Sequence, residues 1–205
     1  MNYILFDDAT WQNLLPLTFT KPVSEIRIGI LTITQKWEIY LNGKLTYQTQ
    51  GYLNQKYKGI YTNNAVFING KICPTPELLA QINNLEFNSG IKKGNTLIAY
   101  RSNTASALII EEAITNAVET NMNYLSIENV WDIFSKNDAA LREDFELLTE
   151  DRKSQPIPKS VNVISPENIF IEEGAKIEFV TLNASTGPIY IGKNSEIMEG
   201  SVIRG

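Results

Sequence analysis

The carboxyl-terminal stretch IEEGAKIEFVTLNASTGPIYIGKNSEIMEGSVIRG, residues 171–205, decides how this end of the chain folds. Read in sixes, it opens units at Ile171, Ile177, Ile191, Ile197 and Ile203. Four residues after the first four of these stand Ala175, Thr181, Ser195 and Ser201. In a triangular prism the aliphatic side chain fills the interior, and a small residue is needed where the chain turns a corner. Gly192, directly after Ile191, gives the backbone freedom to bend there. Ile177 and Ile191 are fourteen residues apart, two more than two units. The segment NASTGP, residues 183–188, is therefore expected to carry a two-residue insertion at a corner. A plain β-meander is the simpler alternative, but it requires no such phase. The phased units predict the opening turns of a left-handed parallel β-helix of hexapeptide repeats. Such a coil is stabilised by stacking of neighbours. At three units per turn, the stretch holds about two turns and ends on an open strand edge. The expectation is that the natural protein continues beyond Gly205, or that another subunit covers this end.

Upstream, EDRKSQPIPKS (150–160) is polar and carries Pro156 and Pro158, which favour an extended link. The expected organisation is an α/β domain over residues 1–150, an extended linker over 151–164 and the β-helix over 165–205. In the first of these, NYILF (2–6) reads as a buried strand that runs into Asp7-Asp8. LLPLTFTKPVSEIRIGIL (14–31) holds two prolines and a glycine and cannot be one regular helix. QKWEIYL (35–41) reads as a short helix with Thr34 as its cap and Gly43 as its stop. Ala65–Ile68 reads as a second buried strand, with Asn69-Gly70 as a turn signal. Thr75-Pro76-Glu77 starts a helix whose apolar stripe is Leu78, Leu79, Ile82 and Leu85. Thr96–Tyr100 and Ala107–Ile110 read as strands, and Glu111–Thr120 as a helix. Val130, Trp131, Ile133 and Phe134 are expected on one packed helical face, as are Leu141, Phe145 and Leu148. Strands alternating with helices predict a layered, Rossmann-like α/β domain.

The chain has 205 residues, 43% of them hydrophobic, a net charge of −5 and no histidine. That excludes a histidine-based triad, an imidazole base and a histidine-held metal. Any metal would be a hard cation on oxygen ligands. A single cysteine, Cys73, excludes an internal disulfide. Acidity with scattered lysines and arginines argues against a nucleic-acid partner. No apolar run is long enough for a membrane span, and MNYILFDDATW lacks a basic leader region, so the expected location is the cytoplasm.

Taken together, these blocks resemble a known family. An α/β domain followed by a hexapeptide β-helix resembles bifunctional N-acetylglucosamine-1-phosphate uridyltransferase / glucosamine-1-phosphate acetyltransferase. ILFDDATWQNLLPLTFTKPVSEIRIGILTITQKWE (4–38), IFIEEGAKIEF (169–179), GPIYIG (187–192) and IMEGSVIRG (197–205) are more similar to the divergent sugar-nucleotidyltransferase branch of that architecture in Bacteroidetes-type bacteria. The resemblance implies that a nucleoside triphosphate and a sugar 1-phosphate give a nucleotide sugar and pyrophosphate. It further implies Mg²⁺ as cofactor and UDP-N-acetylglucosamine-type, cell-envelope precursor synthesis. Leu15-Pro16-Leu17-Thr18 is similar to part of the family's phosphate loop. Lys21 and Arg27 stand where its cationic residues are expected, which makes them the candidate catalytic pair. Asp7, Asp8, Thr18, Asn69 and Gly70 are the candidate substrate-binding residues, with Asp7 and Asp8 also candidate metal ligands.

Two departures from the family pattern are plain. FDDATWQN (6–13) holds no glycine where the family has a glycine-rich loop. Where the family has a metal-binding Gly-Asp, the chain reads Phe67-Ile68-Asn69-Gly70-Lys71. These departures support a second reading, in which the domain is a catalytically silent binding or assembly module of a hexapeptide acyltransferase. A third reading makes it a shaper of an acceptor site. Each candidate also has an ordinary structural role: turn residues for Asp7, Asp8, Asn69 and Gly70, and solvated loop or strand cations for Lys21 and Arg27. Trp11, Trp37 and Trp131 read as core or interface rather than as a base-stacking platform. Acetyl transfer, which would need acetyl-CoA and most of a β-helix, is expected only in a longer chain. A homotrimer through the flat prism faces is the expected assembly.

Overall fold

In a computed structural model, which describes residues 1–205, the strand expected at NYILF is β1 (Asn2–Phe6). Its last three residues are buried, as expected of a strand covered on both faces. There follow β2 (Arg27–Ile28), β3 (Leu31–Thr32), α1 (Ile33–Leu41), β4 (Thr46–Gln48), β5 (Ala65–Asn69) and α2 (Pro76–Asn83). Next come β6 (Ser89–Lys93), β7 (Thr96–Ser102), α3 (Ile110–Thr115), β8 (Ala117–Glu119) and α4 (Val130–Ser135). Six of the strands form a mixed sheet in the order β4-β1-β5-β7-β6-β8, and β2 and β3 form a separate antiparallel pair. Strands β4, β1 and β5 run parallel, while β7 is antiparallel to β5. Phe6 lies opposite both Gln48 and Asn69, so the carboxyl ends of the three parallel strands are level.

One core cluster of this unit contains Ile4, Phe6, Phe67, Leu97 and Ala113. Elsewhere Trp37 is fully buried and donates its indole N–H to the Ile72 carbonyl at 2.8 Å. Trp11 is partly buried, whereas Trp131 is 68% exposed.

The expected elements differ from the observed ones in four places. Helix α1 begins two residues earlier than QKWEIYL, because Thr32 rather than Thr34 caps it in a reciprocal box with Gln35. Ala107–Ile109 is not a strand, and the expected helix 111–120 stops at Thr115. The residues that follow become β8, which pairs with β6, so sheet completion overrides local helical pattern. The expected packed face of α4 is open, with Phe134 90% exposed.

The chain divides into two compact units between Asn137 and Asp138, ahead of the expected boundary at 150. No helix is long and apolar enough to cross a membrane. The second unit contains all but the first residue of α5 (Asn137–Thr149). Its strands are β9 (Asn162–Ile164), β10 (Ile169–Ile171), β11 (Lys176–Ile177), β12 (Thr181–Asn183), β13 (Ile189–Ile191), β14 (Glu196–Ile197) and β15 (Val202–Arg204). Every pairing among them is parallel: β10 with β13, β11 with β14, and β12 with both β9 and β15. Ile169 faces Ile189, and Lys176 faces Glu196, each twenty residues on. Ile171, Ile177, Val180, Leu182, Ile189 and Ile191 are buried together.

The corners repeat as well. Turns close from Ala175 N–H to the Glu172 carbonyl and from Ser195 N–H to the Gly192 carbonyl. Left-handed backbone falls at Gly174 and Asn194, and again at Phe179 and Gly200. Gly174, at φ 80°, takes its corner without the strain that a side chain would bring there. Gly192, where free bending was expected, is not among the left-handed positions. The interior position after Ile177 is Leu182, one residue short of a full unit, and the extra residues lie in the loop from Ala184 to Pro188. Part of the expected linker also belongs to this unit. Residues 162–164 are strand β9, Ile171 N–H donates to Ser154 Oγ at 3.0 Å, and Gln155 N–H donates to the Ile171 carbonyl at 2.8 Å.

Candidate functional site

Strand β1 delivers Asp7 and Asp8 to the carboxyl end of the sheet, and β5 delivers Asn69, Gly70 and Lys71 beside them. In open α/β sheets this is the edge at which ligands sit. The main chain ties the two strand ends together: Asp7 N–H donates to the Gln48 carbonyl at 2.9 Å, and Gly70 N–H to the Phe6 carbonyl at 2.8 Å. A side chain at Gly70 would come within 3.2 Å of the Phe6 carbonyl and 3.3 Å of Ser24 Cβ, so the strand ends approach closely at this glycine.

The two aspartates have different surroundings. Asp7 accepts from Val23 N–H at 3.0 Å and from the Thr49 hydroxyl at 2.5 Å. Burial pushes its carboxyl up to about 6, aided by the Asp8 charge and opposed by those two donors. For Asp8, burial also acts upward, but the Asn69 amide, the Lys71 charge and Thr10 together hold the carboxyl below its ordinary value. Asp8 Oδ2 accepts from Asn69 Nδ2 at 2.9 Å and lies 3.0 Å from Lys71 Nζ. Its Oδ1 accepts from Thr10 N–H at 2.9 Å. Asn69 is buried and also donates to the Leu97 carbonyl at 2.9 Å.

Lys71 is the centre of this network. Its side chain is 4% exposed, and its ammonium reaches Asp8 Oδ2 at 3.0 Å, Glu128 Oε2 at 2.9 Å and Thr10 Oγ1 at 3.0 Å. Glu128 arrives from far along the sequence because residues 125–127 run beside 71–73. Ile127 N–H donates to the Lys71 carbonyl at 3.0 Å, and Cys73 N–H to the Leu125 carbonyl at 2.8 Å. Asp132 then fixes the turn by accepting from the N–H groups of Glu128 at 2.7 Å and Asn129 at 3.0 Å.

The candidates named from sequence are thus only partly brought together. Asp7, Asp8, Asn69 and Gly70 form one cluster. Thr18 is buried and its hydroxyl donates to the Trp11 carbonyl at 2.7 Å, so it pins the loop from inside. Arg27 is exposed, and its guanidinium donates to the Ile30 carbonyl across the β2–β3 hairpin. Lys21 is partly buried two residues before Val23, whose N–H reaches Asp7. Sequence reading missed Lys71, Glu128, Thr10 and Thr49. Lys71 follows the Asn69-Gly70 turn and was within reach of the strand-end rule. Glu128 had no signal, since only the fold brings it near β5. One further oddity borders the cluster: the Ser24 hydroxyl is buried without a hydrogen-bond partner, and its Cβ lies close to Gly70.

The donor set does not fit a Mg²⁺ ion held by the protein. Asp7 is turned to Val23 N–H and the Thr49 hydroxyl, and the Asp8 oxygen that faces the cluster is already paired with the Lys71 ammonium. No group of three His, Cys, Asp or Glu side chains converges as a metal site. The second unit offers a cavity of about 370 Å³ beside Arg142 and the loop to Pro188. There the Arg142 guanidinium is engaged by Asp138 at 3.1 Å and the Thr186 carbonyl at 2.8 Å, which leaves no free charge to define a ligand.

Residues 3–153 match the family model of sugar nucleotidyl transferases, and the chain belongs to that family. The match contains the whole Asp7–Asp8–Asn69–Lys71–Glu128 cluster. No curated protein matches the chain.

Proposed function

We propose that this sugar nucleotidyl transferase joins a nucleoside triphosphate to a sugar 1-phosphate at the carboxyl ends of β1 and β5. An oxygen of the sugar phosphate attacks the α-phosphorus and forms a new P–O bond. The bond from that phosphorus to the bridging oxygen breaks, and pyrophosphate leaves with the electron pair. No proton has to move, because the attacking phosphate oxygen is already ionised. Catalysis then depends on positioning and on neutralising phosphate charge.

The observation that carries this reading is the polar cluster at the level ends of three parallel strands, within the matched family domain. Lys21 and Arg27 are the residues assigned to the phosphates: Arg27 is exposed, and Lys21 lies next to the loop that contacts Asp7. Asp7 and Asp8 are the proposed contacts to sugar and ribose hydroxyls, with buried Asn69 holding Asp8 and Gly70 letting the two strand ends approach. Mg²⁺ belongs to this scheme as part of the triphosphate substrate. UDP-N-acetylglucosamine or a related nucleotide sugar is the proposed product, made in the cytoplasm for cell-envelope precursors. The second unit is proposed as the opening turns of a left-handed β-helix, supported by parallel pairs about twenty residues apart and by stacked left-handed corners. Trimerisation through that unit is part of the same proposal.

One observation favours the silent binding or assembly module: Asp8, Asn69 and Lys71 satisfy one another before any ligand arrives. Pyrophosphate release with Mg²⁺, across common nucleoside triphosphates and sugar 1-phosphates, separates the two readings. Release that depends on one specific pair supports the transferase. Nucleotide binding without release from any pair, in folded protein, supports the module.

A further inference from the structure

Lys71 and its three oxygen partners have a consequence for metal dependence. An ammonium has three N–H donors and no acceptor. Here three oxygens lie at 2.9–3.0 Å from Nζ: a carboxylate oxygen of Asp8, one of Glu128, and the Thr10 hydroxyl. Its donors are therefore matched one for one, within a side chain that is 4% exposed. A hard divalent cation prefers the same donor types, carboxylate and neutral oxygen, but at shorter range: about 2.0–2.1 Å for Mg²⁺ and 2.3–2.6 Å for Ca²⁺. Both cannot occupy the centre of one small cage.

We propose that the Lys71 ammonium is the resident cation of this site and closes the Asp8–Glu128–Thr10 cage to divalent metals. Its meaning for catalysis rests on the nucleotidyl-transfer reading of this end of the sheet. The only divalent ion that the centre admits is then the one that arrives on the triphosphate. The cage also carries one negative charge in excess, two carboxylates against one ammonium. Removing Lys71 leaves two carboxylates and a hydroxyl facing a vacated space, which is the donor set of a hard-cation site. Since the oxygens are spaced for an ammonium, the larger Ca²⁺ fits that space with less contraction than Mg²⁺.

The test is calorimetric titration of the full chain with Ca²⁺ and with Mg²⁺, without nucleotide. The wild type is expected to take up neither ion at this centre. Lys71→Ala is expected to take up one Ca²⁺ per chain, with a dissociation constant on the order of 10⁻³ M or tighter. Ca²⁺ should bind more tightly than Mg²⁺ and should raise the melting temperature of the variant but not of the wild type. Adding Glu128→Gln to Lys71→Ala should abolish that uptake. Wild-type uptake of one divalent ion that is lost in Asp8→Asn overturns the proposal, as does a folded Lys71→Ala that binds neither ion. Should Lys71→Ala fail to fold, the wild-type arm decides alone: Asp8-dependent uptake overturns the proposal and its absence supports it. No arm requires turnover, so a failure here is distinct from a failure of the pyrophosphate assay.

Discussion

Two neighbouring aspartates at the end of β1 respond to pH in opposite directions. Asp7 has its folded carboxyl raised from 3.8 to about 6 by burial, so the folded chain holds that proton more tightly than the unfolded chain. Stability from this residue therefore grows as pH falls from about 6 toward 3.8, and above that window the ionised carboxylate opposes folding. The chain has no histidine to mask the effect. Asp8 has its carboxyl lowered, so its contribution is present above its unfolded value and is lost only in stronger acid, outside the Asp7 window. Urea denaturation of the wild type should show about 1 kcal/mol more stability at pH 5 than at pH 7 from Asp7 alone. That increment should vanish in Asp7→Asn; an unchanged increment would assign it to another group. The Asp7-Asp8 pair was legible as a strand-end signal. Its division into one raised and one lowered carboxyl was not, because the difference is set by Asn69 and Lys71 from another strand.

At the level of elements, caps and strands were legible wherever local chemistry was strong. Thr75-Pro76-Glu77 starts α2 as read, with Thr75 accepting from Leu78 N–H, and the buried strand expected over Ala65–Ile68 is present and runs one residue further, to Asn69. Reading failed where tertiary pairing decided the outcome: β8 exists because β6 presents an edge to Ala117–Glu119. The corners of the second unit are another such case. Phe179 occupies a left-handed corner at φ 53° while 69% exposed, and Gly200 occupies the matching corner of the next strand set. A bulky residue in that backbone region is strained by about 1–2 kcal/mol, and little apolar burial offsets it. Phe179→Gly should therefore raise stability by about 0.5–1 kcal/mol despite the more flexible unfolded chain. Equilibrium denaturation followed by far-ultraviolet circular dichroism checks this; a loss of stability would mean that the ring packs on something that covers it.

For the molecule as a whole, the mixed α/β character of the first unit was legible because strand and helix periods alternate there, and the change to short aliphatic units was legible from Ile169 onward. The compact units meet at 137 while the family match runs to 153, because α5 reads like any amphipathic helix and nothing in its sequence says which unit it joins. Unit two is held by narrow columns of aliphatic side chains. Leu182, fully buried, lies in register between Val163 and Ile203 at the centre of the buried aliphatic cluster. Leu182→Ala should cost about 3 kcal/mol and lower the melting temperature accordingly. A loss near zero would show that the column collapses around the gap.

Parallel pairing of each strand with a counterpart about twenty residues further on also gives this unit something like a reading frame. Deleting one residue inside a strand would turn the rest of that strand's side chains to the opposite face. Inserting a whole repeat of about twenty residues would keep all later partners in phase. The observed steps, nineteen residues from Asn162 to Thr181, twenty from Ile169 to Ile189 and twenty-one from Thr181 to Val202, show where the frame has slack. That slack is taken up by corners and by the loop to Pro188, never by a strand. Length changes in this unit should accordingly fall as single residues at corners or as whole repeats of about twenty residues, with the strands themselves left uncut.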